Sequence, residues 1–338
     1  MKSITSFKIV IVGCGDISEK WVSYISKRED CIILSLVDVL PEKAHKLVEK
    51  YKLSDVSVYS NIERAFDANS PNLVIDITPT EIHNRVVASA LISGAQVFGE
   101  YPMARNIAEC QEIISACENT NNSYSIIQPL RYSVGLRTIK NIIESNVIGE
   151  IEIISVDYFN HLKSIEELEI KALDVFDQVR LITNSNAKSV CCNNFTLIGD
   201  TVGKMTANCV FEMSNGIFFM LRICGCSNGM PSSDNAEWRI TGSKGTIIWD
   251  GVNLPFYEMM MFDEVGKIWV GKKVRAESRV LNNVNFEGCL DEMFDSLIAG
   301  RDAETCFKDN VNSVSMLFAA KESVKNETKV KVHIFEFD

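Results

Sequence analysis

No run in this 338-residue sequence reaches the roughly 18 consecutive apolar residues that a bilayer-spanning helix needs. The start, Met1 to Phe7, also lacks the charged-then-apolar layout of a secretory leader, so the expected location is the cytoplasm. Positive charge is scarce too. Lys and Arg number 34 against 45 Asp and Glu, a formal net charge of −11, and a chain this acidic repels the phosphates of nucleic acid on average. Neither nucleic acid nor membrane is therefore an expected partner. The eleven cysteines lack the dense, regular spacing of a disulfide framework, which predicts reduced thiols. Cys191 with Cys192 and Cys224 with Cys226 have neither CxxC spacing nor a nearby histidine, so no metal site is expected. In strand-like segments such cysteines act as small buried hydrophobes. Internal repeats and low-complexity linkers are absent as well, while the chain is long enough for two cores.

What is present is an alternation of short apolar runs with helical spacing. Lys8 to Val12, Cys31 to Val37, Val58 to Tyr59, Leu73 to Ile77, Gln96 to Phe98 and Tyr124 to Ile127 read as strands. Between them fall helical patterns, among them Trp21, Val22 and Ile25, the segment Glu42 to Tyr51 opened by Pro41, Ile82 to Ser93 and Ile107 to Asn119. Such βα alternation predicts a parallel sheet covered on both faces. From Ile151 the pattern changes to successive strands, including Ile151 to Phe159, Ser189 to Leu197, Met205 to Glu212, Gly216 to Cys224, Trp238 to Thr241 and Thr246 to Trp249. One acidic helix, Ile165 to Ile182, interrupts them, and two helices and a last strand, Lys329 to Phe337, follow. The predicted fold is an α/β Rossmann domain over 1–127, then an α+β domain over 128–338 with an open, mainly antiparallel sheet. Residues 128–149 pack at the handover.

Gly13, Gly15 and Ser18 stand as G-x-G-x-x-S between the first strand and the first helix. Gly13 suits the tight turn, Gly15 lets a pyrophosphate approach the backbone, and small Ser18 lets helix pack on strand. With Asp16 and Ile17 they open a helix whose amides and dipole favour phosphate. Asp38 lies 23 residues after Gly15, at the end of the second strand. An acid there accepts the adenosine ribose hydroxyls and repels a 2′-phosphate. Val39, Leu40 and Pro41 add no cation, so NAD(H) is expected in preference to NADP(H).

Together with Thr78, Pro79, His83 and the run Glu100, Tyr101, Pro102, these motifs resemble those of the Gfo/Idh/MocA oxidoreductases. Gln128 to Arg131, Ile148 to Glu150, Thr241 to Gly245 and Phe286 to Arg301 extend the resemblance over nearly the whole chain. It implies a small-molecule substrate, a nicotinamide placed at the face of the C-terminal sheet, and homodimers or homotetramers joined through such sheets. Thr78, Pro79, His83 and Glu100 would then lie near the cofactor. The family pattern has Glu-Lys-Pro where this chain has Glu100-Tyr101-Pro102, a variant shared with biliverdin reductases, and Met103 extends that local likeness. In the family's helix signature, aligned through Asp177 and Arg180, Ile170 takes the place of an aspartate and Asp174 that of a histidine.

Tyr101 and Asp174 are thus the candidate catalytic residues, with Arg131, Asp177 and His161 as candidate substrate residues. Three functions stay open. One is a reductase in which Tyr101 protonates or polarises a C=O, C=N or conjugated C=C, since a tyrosine with a reference pKa near 10 suits an acid. Another is a sugar or cyclitol dehydrogenase using Asp174, and the third is a catalytically silent cofactor-binding protein.

Overall fold

The computed structural model of the chain describes residues 5–197, 205–225, 231–262, 268–270, 274–275 and 285–337. Cys226 lies outside them. The chain forms two compact units, one of residues 1–128 with 287–311 and one of 129–286 with 312–338.

The first unit begins β1 (Phe7–Val12), α1 (Ser18–Ile25), β2 (Cys31–Val37), α2 (Pro41–Tyr51), β3 (Ser57–Tyr59) and α3 (Ile62–Asn69). It continues β4 (Leu73–Asp76), α4 (Thr80–Ile92), β5 (Gln96–Gly99), α5 (Ile107–Thr120) and β6 (Tyr124–Ile126). All six strands pair in parallel in the order β3-β2-β1-β4-β5-β6. Ile9, Val10, Ile11 and Val12 are all buried, because a parallel strand flanked by helices has no solvent face. The chain winds outward from β1 in one direction and then, at β4, in the other. That reversal opens a crevice at the carboxyl ends of β1 and β4, where open α/β sheets bind ligands.

The second unit starts with a 3-10 turn, Pro129–Tyr132, and then runs α6 (Val134–Glu144), β7 (Ile151–Phe159), α7 (Ile165–Thr183), β8 (Ala187–Leu197), β9 (Met205–Met213) and β10 (Phe218–Cys224). Next come β11 (Glu237–Gly242), β12 (Gly245–Trp249), β13 (Phe256–Phe262), β14 (Ile268–Val270) and β15 (Val274–Arg275). α8 (Asn285–Ala299), α9 (Phe307–Asn326) and β16 (Val330–Lys331) complete the chain. Among the described residues the second sheet follows the order β14-β13-β12-β11-β7-β10-β9-β8-β16. It is open and antiparallel except for the parallel pair of β7 and β10. Strand alternation gives it two different faces. Ile154, Val156, Tyr158, Phe219, Leu221 and Ile223 are buried, whereas Ile153, Val210, Phe218 and Met220 are exposed. The buried face is covered by α7, whose Phe176 ring meets those of Phe211 and Phe219 edge-on at 4.9 and 6.1 Å.

Four expectations change. First, a single boundary at 127/128 misses α8, which belongs to the first unit. Its Phe294 packs edge-on against Phe7 at 4.9 Å and Phe98 at 5.2 Å, with the Arg28 guanidinium 4.3 Å over the ring. Burying a phenylalanine is worth about 1.5–3 kcal/mol, so this ring anchors the helix there. Second, the strand expected over Lys329 to Phe337 contains only β16, and its bonding to β8 ends with the Val332 amide on the Lys188 carbonyl at 3.0 Å. Third, β13 falls in a segment for which no strand was expected, because Phe-Tyr-Glu-Met-Met-Met-Phe shows no apolar–polar alternation. Fourth, the acidic helix α7 is buried over most of its length, from Ala172 to Thr183. Among the described residues no helix is long and apolar enough to cross a membrane.

Candidate functional site

A cavity of about 600 Å³ lies at the carboxyl ends of β1, β2 and β4. Its wall includes Val12, Gly13 and Gly15 after β1, Val37 and Asp38 after β2, and Ile77, Thr78 and Pro79 after β4. The two glycines serve it differently. Gly13 has φ +95°, and a Cβ there would come within 2.5 Å of the Ile77 carbonyl oxygen. The fold itself therefore demands glycine at 13. A Cβ on Gly15 would meet nothing within 4 Å. The protein leaves that space open on the wall of the cavity, as a pyrophosphate cradle requires.

Asp38 is held by backbone. Its Oδ2 accepts the Cys14 amide at 2.8 Å and its Oδ1 the Leu40 amide at 2.9 Å. Each oxygen keeps acceptor capacity for a hydroxyl. Beneath it, burial, with Asp38 adding to the effect, pushes the Cys14 thiol up to about 12, so it stays neutral. These residues fit a dinucleotide: a glycine cradle at the start of α1 for the pyrophosphate and a fixed carboxylate for the ribose.

Ile17 also lines the cavity, whereas Asp16, although exposed on the same turn, does not. His83 is not on the wall either. It is fully buried, with Nε2 2.7 Å from the Thr78 carbonyl and Nδ1 3.1 Å from the Pro102 carbonyl. It thus ties the turn that lines the cavity to the loop that carries Tyr101. Glu100 accepts the Trp21 indole N–H at 2.7 Å, and burial raises its carboxyl above the usual range. Tyr101 is half-buried and is joined to Pro102 by a cis peptide bond.

Sequence reasoning missed five polar residues on the cavity wall, Lys43, Ser60, Asn61, Glu63 and Arg85. Lys43 was legible as a cation in the first turn after Pro41. Asn61 carries the signal of a helix cap, and its Oδ1 accepts the Arg64 amide at 2.9 Å. Asp76 was also missed. Fully buried at the end of β4, it accepts the Thr78 hydroxyl at 2.6 Å and amide at 3.1 Å, shaping the turn.

In the second unit the expected substrate residues separate. Arg131 and Asp177 meet each other: Nη2 lies 2.6 Å from Oδ1, and both residues are at least 98% buried. Ser313 donates to the same Asp177 oxygen at 2.9 Å and receives a bond from Arg180 at 2.8 Å. This corrects the expectation of substrate contact, because a carboxylate and guanidinium so enclosed are committed to the core. Removing the acid by Asp177→Ala would strand a buried cation and should cost about 3–5 kcal/mol. Chemical denaturation would measure the loss, and an unchanged midpoint would show the pair to be dispensable. His161 is exposed beyond the end of β7. Asp174 is buried, with Lys171 Nζ 3.7 Å from its Oδ2, and Lys171 also lies 3.6 Å from Asp234. Despite its burial, Lys171 is held above the usual lysine range by Asp174 first and then Asp234. Nothing in the spacing had singled out Lys171. Among the described residues no group of three or more His, Cys, Asp or Glu is placed to hold a metal ion.

Comparison with known proteins agrees with this geometry. Residues 7–128 match the sequence model of an oxidoreductase family with an NAD-binding Rossmann fold. An uncharacterized oxidoreductase of Streptococcus pneumoniae is 26% identical over 144 residues, 43% of this chain and 38% of that protein. An inositol 2-dehydrogenase of Ralstonia nicotianae is 25% identical over 146 residues, 43% of each chain. Matches to the leading curated relatives span 36% to 44% of their length. In fold, the chain is similar to an oxidoreductase of Agrobacterium radiobacter solved with NAD+, L-tartaric acid and magnesium, with TM-score 0.81, 17% identity and coverage of 97% of this chain and 99% of that one.

Proposed function

We propose, for a chain whose NAD-binding Rossmann domain is of the Gfo/Idh/MocA oxidoreductase family, that the whole protein is an NAD(H)-dependent reductase of a small metabolite. The acceptor is a C=O, C=N or conjugated C=C, and Tyr101 is the proton donor or polariser. One observation carries the assignment of Tyr101. The His83 ring is wedged between the carbonyl of Thr78 on the cavity wall and that of Pro102 next to Tyr101, within hydrogen-bond distance of each, so the tyrosine's loop is packed against the nucleotide site. A phenol hydrogen-bonds a developing oxyanion or gives it a proton, and it needs no prior deprotonation to do so. The nicotinamide supplies the hydride when bound. Gly13, Gly15, Ile17, Asp38, Thr78 and Pro79 hold the dinucleotide in this reading, with His83 and Glu100 ordering the wall behind it.

A second reading is favoured by one feature. Asp174 lies 3.7 Å from the Lys171 ammonium, and in this reading that pair serves the proton transfer of sugar or cyclitol oxidation. In both readings the second unit recognises the substrate. The exposed Ile153, Val210, Phe218 and Met220 on one sheet face support homodimers or homotetramers joined there, and scattered thiols suit a reducing cytoplasm.

For the cofactor we infer NADH over NADPH, since the fixed Asp38 carboxylate repels a 2′-phosphate. Lys43 on the same wall pulls the other way, which limits the discrimination without reversing it. Fluorescence titration should give tighter binding of NADH, and Asp38→Ala should narrow the gap. Equal affinities in the unaltered protein would end this reading.

A further inference from the structure

β8 and β9 bring three thiols to adjoining positions: Cys191 lies opposite Val210, and Cys192 lies opposite Cys209. Cys191 is exposed, while Cys192 and Cys209 are buried in the core of the second unit. The two buried sulfurs stand 2.7 Å apart, and a bonded pair sits at about 2.05 Å. Closure therefore asks for a shift of well under 1 Å. Several features favour that pairing over any other. Directly opposed residues on antiparallel strands have their side chains on one face of the sheet. The Cys192 amide bonds the Ser323 hydroxyl of α9 at 2.9 Å, and the ladder shifts register just beyond, between Cys192 and Asn194. The backbone is thus anchored on the side away from Cys209. Cys191 points to the other face, because neighbouring strand residues alternate.

We propose that Cys192 and Cys209 form a reversible modification site that closes to a cross-strand disulfide on exposure to a two-electron oxidant, either hydrogen peroxide or a small disulfide. With peroxide, each thiol loses its proton and the sulfurs together give up two electrons as the S–S bond forms. The O–O bond breaks, and the peroxide leaves as two waters. With a small disulfide, two successive exchanges form the same bond and release two small thiols. The reacting species is a thiolate. The hydrogen bond from Cys192, then burial, hold the Cys209 thiol well above its usual range, so closure in the folded protein is slow. The bond spans 17 positions of sequence, and restricting the unfolded chain in this way, worth about 3 kcal/mol, raises Tm by roughly 6–12 °C for a domain of this size.

The test treats the full chain in two ways: incubation of the native protein with hydrogen peroxide, and refolding in a buffer of reduced and oxidised glutathione, where access to the buried thiols is not limiting. Free thiols are then alkylated under denaturing conditions, and the protein is digested without reductant for mass spectrometry. We expect a peptide pair joined through Cys192 and Cys209 in at least the refolded sample. It should be lost with dithiothreitol, absent in Cys209→Ser, retained in Cys191→Ser and accompanied by the higher Tm. Complete alkylation of both cysteines in both samples overturns the assignment, and so does a link from Cys191 to Cys209.

Discussion

Gly15→Val should leave the protein folded and lower its affinity for NADH by at least about 100-fold, a loss of some 2.7 kcal/mol. The backbone at Gly15 has no positive φ, and a Cβ there meets no protein atom within 4 Å. A valine is therefore tolerated by the apo protein and collides only with what enters the cavity. Gly13→Ala should do the opposite. At φ +95° and 2.5 Å from the Ile77 carbonyl, the new methyl group strains the turn by about 1–2 kcal/mol for the left-handed backbone alone, and the overlap adds more. Thermal melting and NADH fluorescence titration on both variants separate the effects: Tm falls for Gly13→Ala, and affinity alone falls for Gly15→Val. Undiminished NADH binding by Gly15→Val would remove the pyrophosphate from this turn.

Tyr101→Phe should lower turnover by roughly 10²-fold or more while NADH affinity stays nearly intact, the signature of a lost general acid or oxyanion donor. The measurement is the absorbance of NADH against a panel of carbonyl, imine and conjugated-alkene compounds. The ring remains to pack in its half-buried place, so stability should hold. Full turnover by the phenylalanine variant would reduce Tyr101 to packing. Tyr101→Lys is the complement, because alcohol oxidation gained by a lysine there would favour the dehydrogenase reading with Asp174. If the unaltered protein and both variants bind NADH but turn over nothing in the panel, a catalytically silent cofactor-binding protein becomes the leading reading.

The first unit was legible because its signals are local. A β-branched run that ends in glycine and leads straight into a helix states the turn at Gly13, and Asp38 falls at the end of the next strand without any knowledge of tertiary structure. The fate of Arg131 and Asp177 was not legible. They lie 46 positions apart, and whether such a pair faces a substrate or each other is decided by packing that spacing does not encode. Lys171 was hidden among the charges of α7, whose acidic composition does not say which of its residues are buried. The helix lies against a sheet and buries its last three turns, acids included. α8 was recognised as a helix, but its membership of the first unit rests on contacts far back in the chain, among them Phe294 against Phe7, Tyr24 and Phe98 and Asp291 on the Tyr24 hydroxyl.

That return of α8 has a consequence for biosynthesis. Phe7 and Phe98 leave the ribosome long before Phe294, with almost the whole of the second unit made in between. At ordinary rates of translation the interval is on the order of ten seconds. Through it the nascent parallel sheet shows an aromatic surface with nothing to cover it, so the domain that is first in sequence finishes folding nearly last. Fast synthesis, or synthesis at high temperature, is therefore expected to lower the yield of folded protein through that surface.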